Sequence, residues 1–80
     1  MASSVKEVLE YIAKNLVDDP DAVRVTEVAD GDTLSLKLAV ASDDVGKVIG
    51  RRGRTARAIR DMVRAAGVKA GVNVSVEIEG

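Results

Sequence analysis

The residues best suited to chemistry form one stretch, Val45-Gly46-Lys47-Val48-Ile49-Gly50-Arg51-Arg52-Gly53-Arg54, in which Gly50 and Gly53 bracket Arg51 and Arg52. The glycines stand between an apolar segment and a run that reads as the start of a helix. Glycine lets the backbone turn sharply and approach a partner closely. The first N–H groups of a helix lack intrahelical acceptors and sit at the positive end of its dipole. The arginines add charge, and Lys47, Arg54 and Arg57 extend the positive track. Together these features suit the capture of a phosphate. The same spacing also fits a plain helix-to-helix turn whose glycines supply only positive φ.

Other chemistry is poorly provided for. The 80 residues include no cysteine and no histidine, which removes disulfides, thiolate metal sites and the commonest general base. The remaining carboxylates fall mainly in turns, helix starts and solvent faces, with no base paired to a nucleophile. No catalytic residue, metal ligand or cofactor is therefore expected. The glycines at 46, 50 and 53 match neither the P-loop nor the dinucleotide fingerprint. No apolar run approaches the roughly 18 residues of a membrane span, and no signal-peptide pattern opens the chain, so a cytoplasmic location is expected.

Charge is distributed unevenly. The chain carries 12 basic and 13 acidic residues, for a net charge of −1. From Met1 to Val45 acidic residues prevail, whereas from Gly46 to Ala70 a run of lysines and arginines is opposed only by Asp61. Such a chain presents one basic and one acidic surface, the first suited to a phosphate backbone. A basic run can also be only a solvated face. Its coincidence with the glycine loop favours the first reading.

The elements that must position this loop follow from periodicity. Ser4 to Glu7 fits a capping box, and Val5, Val8, Leu9, Ile12 and Leu16 recur at helical spacing to near Val17. Asp18-Asp19-Pro20 stops that helix. Val23 and Val25 alternate with polar residues as a strand, with Val28 out of register as a bulge or strand end. Asp30-Gly31 signals a tight hairpin into a second strand carrying Leu34, Leu36, Leu38 and Val40 on one face.

Ser42 is placed to cap a short helix with Asp43 and Asp44 in its first turn. After the glycine loop a longer helix begins near Gly53 or Arg54. Its apolar face carries Ala56, Ile59, Met62, Val63 and Ala66, its flank Arg57, Arg60 and Arg64, and Gly67 is its expected end. Val72, Val74, Val76 and Ile78 alternate as a last strand. The expected fold is α+β, in the order α-β-β-α-α-β, with a three-stranded mixed sheet and three helices on one face. Residues 1–80 form one domain in this reading.

Val48-Ile49-Gly50-Arg51-Arg52-Gly53, followed by Ala56 and Ile59, resembles the signature of the KH domain, in its type II arrangement. Glu10-Tyr11-Ile12-Ala13-Lys14 and Leu16-Val17-Asp18-Asp19-Pro20 extend the likeness to the small stand-alone bacterial KH proteins of the KhpA family. The resemblance implies a cytoplasmic protein whose GxxG loop clamps single-stranded RNA and which acts as an RNA chaperone and forms homodimers. It also implies pairing with a larger multidomain KH protein, KhpB (also called Jag or EloR), in cell-length and cell-wall homeostasis. The expected RNA-binding set is Lys47, Val48, Ile49, Gly50, Arg51, Arg52, Gly53, Arg54 and Arg57. Within it, Val48 and Ile49 read either as an apolar floor beneath the bases or, more simply, as core. Tyr11 is the one aromatic residue, which excludes aromatic stacking platforms. The alternative is a protein–protein interaction module, with a small-residue surface at Ala58, Met62, Ala65 and Ala66 bringing two copies together.

Overall fold

The computed structural model describes residues 4–79. The first helix, α1, spans Ser4–Leu16 and buries Val5, Leu9 and Ala13, three residues four apart on one stripe. Ser4 is already helical, so the position that would cap this helix lies outside the described residues. Leu16 is 37% exposed, and the stripe ends on Ala13 instead. Val17 leaves the helix while its N–H still donates to the Ala13 carbonyl at 3.3 Å. Pro20 then opens a 3-10 turn, Pro20–Ala22, where its fixed φ and missing N–H suit the first position.

The two strands β1 (Arg24–Asp30) and β2 (Thr33–Ala39) pair antiparallel in an unbroken register from Arg24 opposite Ala39 to Asp30 opposite Thr33. No bulge occurs at Val28. The strand runs straight through it, leaving the side chain 60% exposed on the wet parity. The hairpin's two loop residues are Gly31 and Asp32, one position later than the Asp30-Gly31 signal suggests. Gly31 has φ 60°, and positive φ at the first loop residue alone is the II′ requirement that matches strand twist.

β2 is the central strand, and its far edge pairs parallel with β3 (Asn73–Glu79). On one face of the sheet Leu34, Leu36 and Leu38 are therefore flanked across one edge of β2 by Ala29, Glu27 and Val25 and across the other by Val74, Val76 and Ile78. Leu36 and Leu38 are fully buried, each worth roughly 2 kcal/mol of apolar burial. The opposite parity carries Ser35, Lys37, Ser75 and Glu77 and is exposed.

Between the parallel strands lie a 3-10 turn (Ser42–Asp44), α2 (Val45–Ile49), a second 3-10 turn (Arg51–Gly53) and α3 (Arg54–Ala70). Ser42 does not act as a cap. It lies inside the 3-10 turn, Ala41 precedes it, and no side-chain capping bond forms. α3 passes through Gly67 and ends at Gly71, whose φ of 79° supplies the left-handed C-cap. Gly67 is buried because the helix lies tight against β3: a Cβ there would stand 2.5 Å from Val74 Cγ2 and 3.0 Å from the Val72 carbonyl. Met62 is 48% exposed, so the core stripe of α3 is Ala56, Ile59, Val63 and Gly67. The order and the mixed sheet are those of the type II KH fold. Among the described residues no helix is long and apolar enough to cross a membrane, and no cluster of acidic side chains is arranged to hold a metal.

Candidate nucleic-acid interface

The loop has positive φ at three residues in four. Gly50 has φ 75°, Arg52 φ 56° and Gly53 φ 71°. Gly50 closes α2 by donating its N–H to the Gly46 carbonyl at 2.9 Å, and Gly53 closes the turn on the Gly50 carbonyl at 3.2 Å. The two glycines are needed for different reasons. A Cβ on Gly50 would collide with Thr55 Oγ1 and stand 2.7 Å from Thr55 Cβ, so the first turn of α3 fits only over bare backbone. A Cβ on Gly53 would meet nothing within 4 Å, and only its φ calls for glycine. Arg52 holds a left-handed conformation without being glycine, at a cost of about 1 kcal/mol.

Charge at this point runs against stability. Gly53 gives α3 no capping side chain, no acidic residue lies in the first turn, and Arg51, Arg52, Arg54 and Arg57 gather at the positive end of the helix. Cations there repel the dipole, where a sequence selected for stability alone would carry Asp or Glu. All four arginines are exposed, and none has a hydrogen bond or ion pair among the described residues. An anion would relieve all of these features.

The structure does not bring the whole expected set to that surface. Val48 has no exposed surface and belongs to the core cluster, so of its two readings core is the one realised: a side chain with no exposure touches no base. Ile49 is half-buried at the loop's entry. Lys47 is engaged elsewhere. Its Nζ lies 2.9 Å from Asp18 Oδ2 and 3.2 Å from Asp44 Oδ1. Arg60, on the flank with Arg57 and Arg64, donates from Nε to the Val76 carbonyl at 3.3 Å and so ties α3 to β3.

Asp44 is the residue that sequence reasoning misses. Read as a first-turn acid, it is in fact 2% exposed. Its carboxylate accepts the backbone N–H groups of Asp18 (3.2 Å) and Asp19 (3.1 Å) and the Lys47 ammonium. Burial alone would raise its pKa. The two backbone hydrogen bonds and Lys47 outweigh burial and hold it below the ordinary 3.8. Hydrogen bonds to Asp18 and then Asp44 raise Lys47 above 10.5. The i, i+3 spacing of Asp44 and Lys47 was the available signal; the partnership with the Asp18–Asp19 backbone, 26 and 25 positions away in sequence, had none.

A family model described as the KH domain of KhpA/KhpB matches residues 6–78. The chain is 53% identical over 74 residues to a protein of Clostridium acetobutylicum named RNA-binding protein KhpA, covering 92% of this chain and 99% of that one. Proteins of the same name from Chlamydia pneumoniae (47% over 74 residues; 92% and 95% covered) and Aquifex aeolicus (46% over 76 residues; 95% and 96%) are also similar. Among solved structures, Era of Aquifex aeolicus matches with a TM-score of 0.67 and 19% identity over 92% of this chain and 29% of that chain, a likeness of fold alone. With the GxxG turn, the α-β-β-α-α-β order and this extent of identity together, the chain belongs to the KhpA/KhpB KH-domain family.

Proposed function

We propose that residues 1–80 act as one KH domain that binds single-stranded RNA by clamping its backbone on the loop Gly50–Arg51–Arg52–Gly53, as a binding protein and not an enzyme. The observation that carries this reading is the set of four exposed arginines, unpaired among the described residues, at the uncapped positive end of α3. That arrangement weakens the free protein and is relieved by phosphate. The names of the relatives support RNA as the polyanion. Phosphates are held by backbone N–H groups of the turn together with Arg51, Arg52, Arg54 and Arg57. With about four nucleotides in the clamp and roughly two or three phosphates neutralised, log affinity falls with log salt at a slope of roughly −1.5 to −2.

The cellular form of this proposal is an RNA chaperone or post-transcriptional regulator in the cytoplasm, tied to cell length and the cell wall through a larger multidomain KH partner. The matched family model, which spans KhpA and KhpB alike, supports such a pairing. Replacing Arg51 and Arg52 together by aspartate tests the clamp. The melting temperature is no lower than the parent's, since acids suit the start of α3, while affinity for a single-stranded RNA collapses; parental affinity in that variant refutes the clamp.

One observation favours a second reading as an interaction module. α3 exposes Met62 (48%) and Val68 (79%) beside the small residues Ala58 and Ala65. In this reading two copies meet on that helix. A folded Met62→Glu variant then sediments as a monomer where the parent is a dimer, while a parent monomeric at every concentration excludes it.

A further inference from the structure

Lys47 stands three residues before Gly50 and is the first cation of the basic segment, which makes it the natural first member of a phosphate track. Its surroundings point elsewhere. The ammonium is shared between Asp18, whose side chain is 83% exposed, and Asp44, whose side chain is 3% exposed. One cation against two carboxylates repels an approaching phosphate. The buried carboxylate also binds the chain segment that leaves α1: Asp44 holds the N–H groups of Asp18 and Asp19, immediately before Pro20.

α2 needs such a fastening. Five residues are too few for a helix to persist by itself, and Val48 is its single buried side chain. From the geometry we infer that Asp44 and Lys47 are positioning residues: they bolt α2 to the Asp18–Asp19 turn and thereby fix where Gly50 begins the loop, and Lys47 itself makes no phosphate contact. This inference rests on the RNA-clamp reading for its consequence, though the bolt itself can be tested without RNA.

Binding of the full chain to a short fluorescein-labelled oligouridylate, titrated over a range of salt concentrations well below the melting temperature, separates positioning from contact. For a positioning Lys47, Lys47→Met lowers affinity roughly three- to tenfold with the salt slope unchanged, and Lys47→Arg restores it. For a contacting Lys47, Lys47→Met makes the slope shallower by about 0.7, the share of one phosphate. Asp44→Asn separates the two cases by sign. Removing a negative charge near a polyanion strengthens binding if electrostatics alone matters, but weakens it if the bolt positions the loop. If Asp44→Asn does not fold, Asp18→Asn, which removes only the exposed partner, is read with the same signs. A shallower slope in Lys47→Met, or tighter binding in either aspartate variant, overturns the inference.

Backbone amide spectra supply the arm that does not involve RNA. In Lys47→Met the Asp18 and Asp19 amides lose exchange protection, and the Gly50, Arg51, Arg52 and Gly53 resonances shift. Unchanged loop resonances overturn the inference even if the protein binds no RNA. A parent that fails to bind oligouridylate, with the loop resonances responding as expected, refutes the clamp and leaves the bolt standing.

Discussion

α2 enters the glycine loop with five residues and one buried side chain, Val48, whereas α3 leaves it with 17 residues and four buried positions, Ala56, Ile59, Val63 and Gly67. α3 also packs on α1 and β3 and is tied to the Val76 carbonyl by Arg60. Its place is set by shape: apolar contacts and a glycine-width approach to the sheet. A single valine supplies α2 with only about 2 kcal/mol of burial and little direction, so the polar bolt of Asp44, Lys47, Asp18 and Asp19 does the orienting. Apolar packing has no titrating group and no charge to be screened, while a charged bolt responds to pH and to ionic strength. A rigid trailing arm and an electrostatically fastened leading arm thus meet at Gly50.

The largest effect comes from attacking the packed arm. Gly67→Leu forces α3 off Val74 and the Val72 carbonyl and costs about 3 kcal/mol in chemical denaturation; a loss near zero breaks the view that shape fixes this helix. At the junction of the arms, Gly50→Ala meets both the Thr55 contact and a positive φ and costs about 2 kcal/mol, against about 1 kcal/mol for Gly53→Ala, which pays for φ alone. Equal losses at the two glycines show that α3 does not seat over Gly50. Arg52→Gly has the opposite sign. Relief of the left-handed residue, less the added freedom of the unfolded chain, raises stability by about 0.5 kcal/mol while RNA affinity falls. A destabilised Arg52→Gly means that the side chain supports the fold.

The smallest effect lies at the pH extremes and is confined to the leading arm. Asp44 is held below 3.8 in the folded state, so its stabilisation is complete above that value and is lost as pH falls through the lower folded pKa. Lys47 is held above 10.5, so its share is complete below that value and is lost as pH rises through the raised one. Melting temperature between these limits is flat with respect to this pair. Amide exchange at acid pH quickens in α2 before α3, whereas in Asp44→Asn α2 already exchanges faster than α3 at neutral pH and acid adds no further step. Simultaneous opening of both helices contradicts the bolt.

The glycine loop was legible because its signal is local. Gly50 and Gly53, four arginines and the following helical period all lie within a few residues. The strands and the long helix were legible for a related reason, since alternation and the 3.6-residue period report which face meets the core. Errors fell where periodicity is silent. Gly67 reads as a helix end because glycine commonly ends helices, yet its cause lies across space in Val74. Leu16 and Met62 fit the helical stripe by spacing but fall at its margins, where neighbouring elements decide what is covered. Asp30-Gly31 fixed the existence of the hairpin, and only the register of Asp30 with Thr33 made Gly31-Asp32 its loop.

What the amino-acid sequence determined by itself was the order of elements, the positive-φ glycines and the segregation of charge, because each depends on residues that are neighbours along the chain. Tertiary structure decided which of the basic residues remain free. Arg51 and Lys47 look equivalent in sequence, both exposed cations beside a GxxG turn. Folding brings Asp18 and the buried Asp44 onto Lys47 and, among the described residues, nothing onto Arg51. A long-range pairing of that kind has no period and no local motif, because it is fixed by how the end of α1 meets the start of α2 in space.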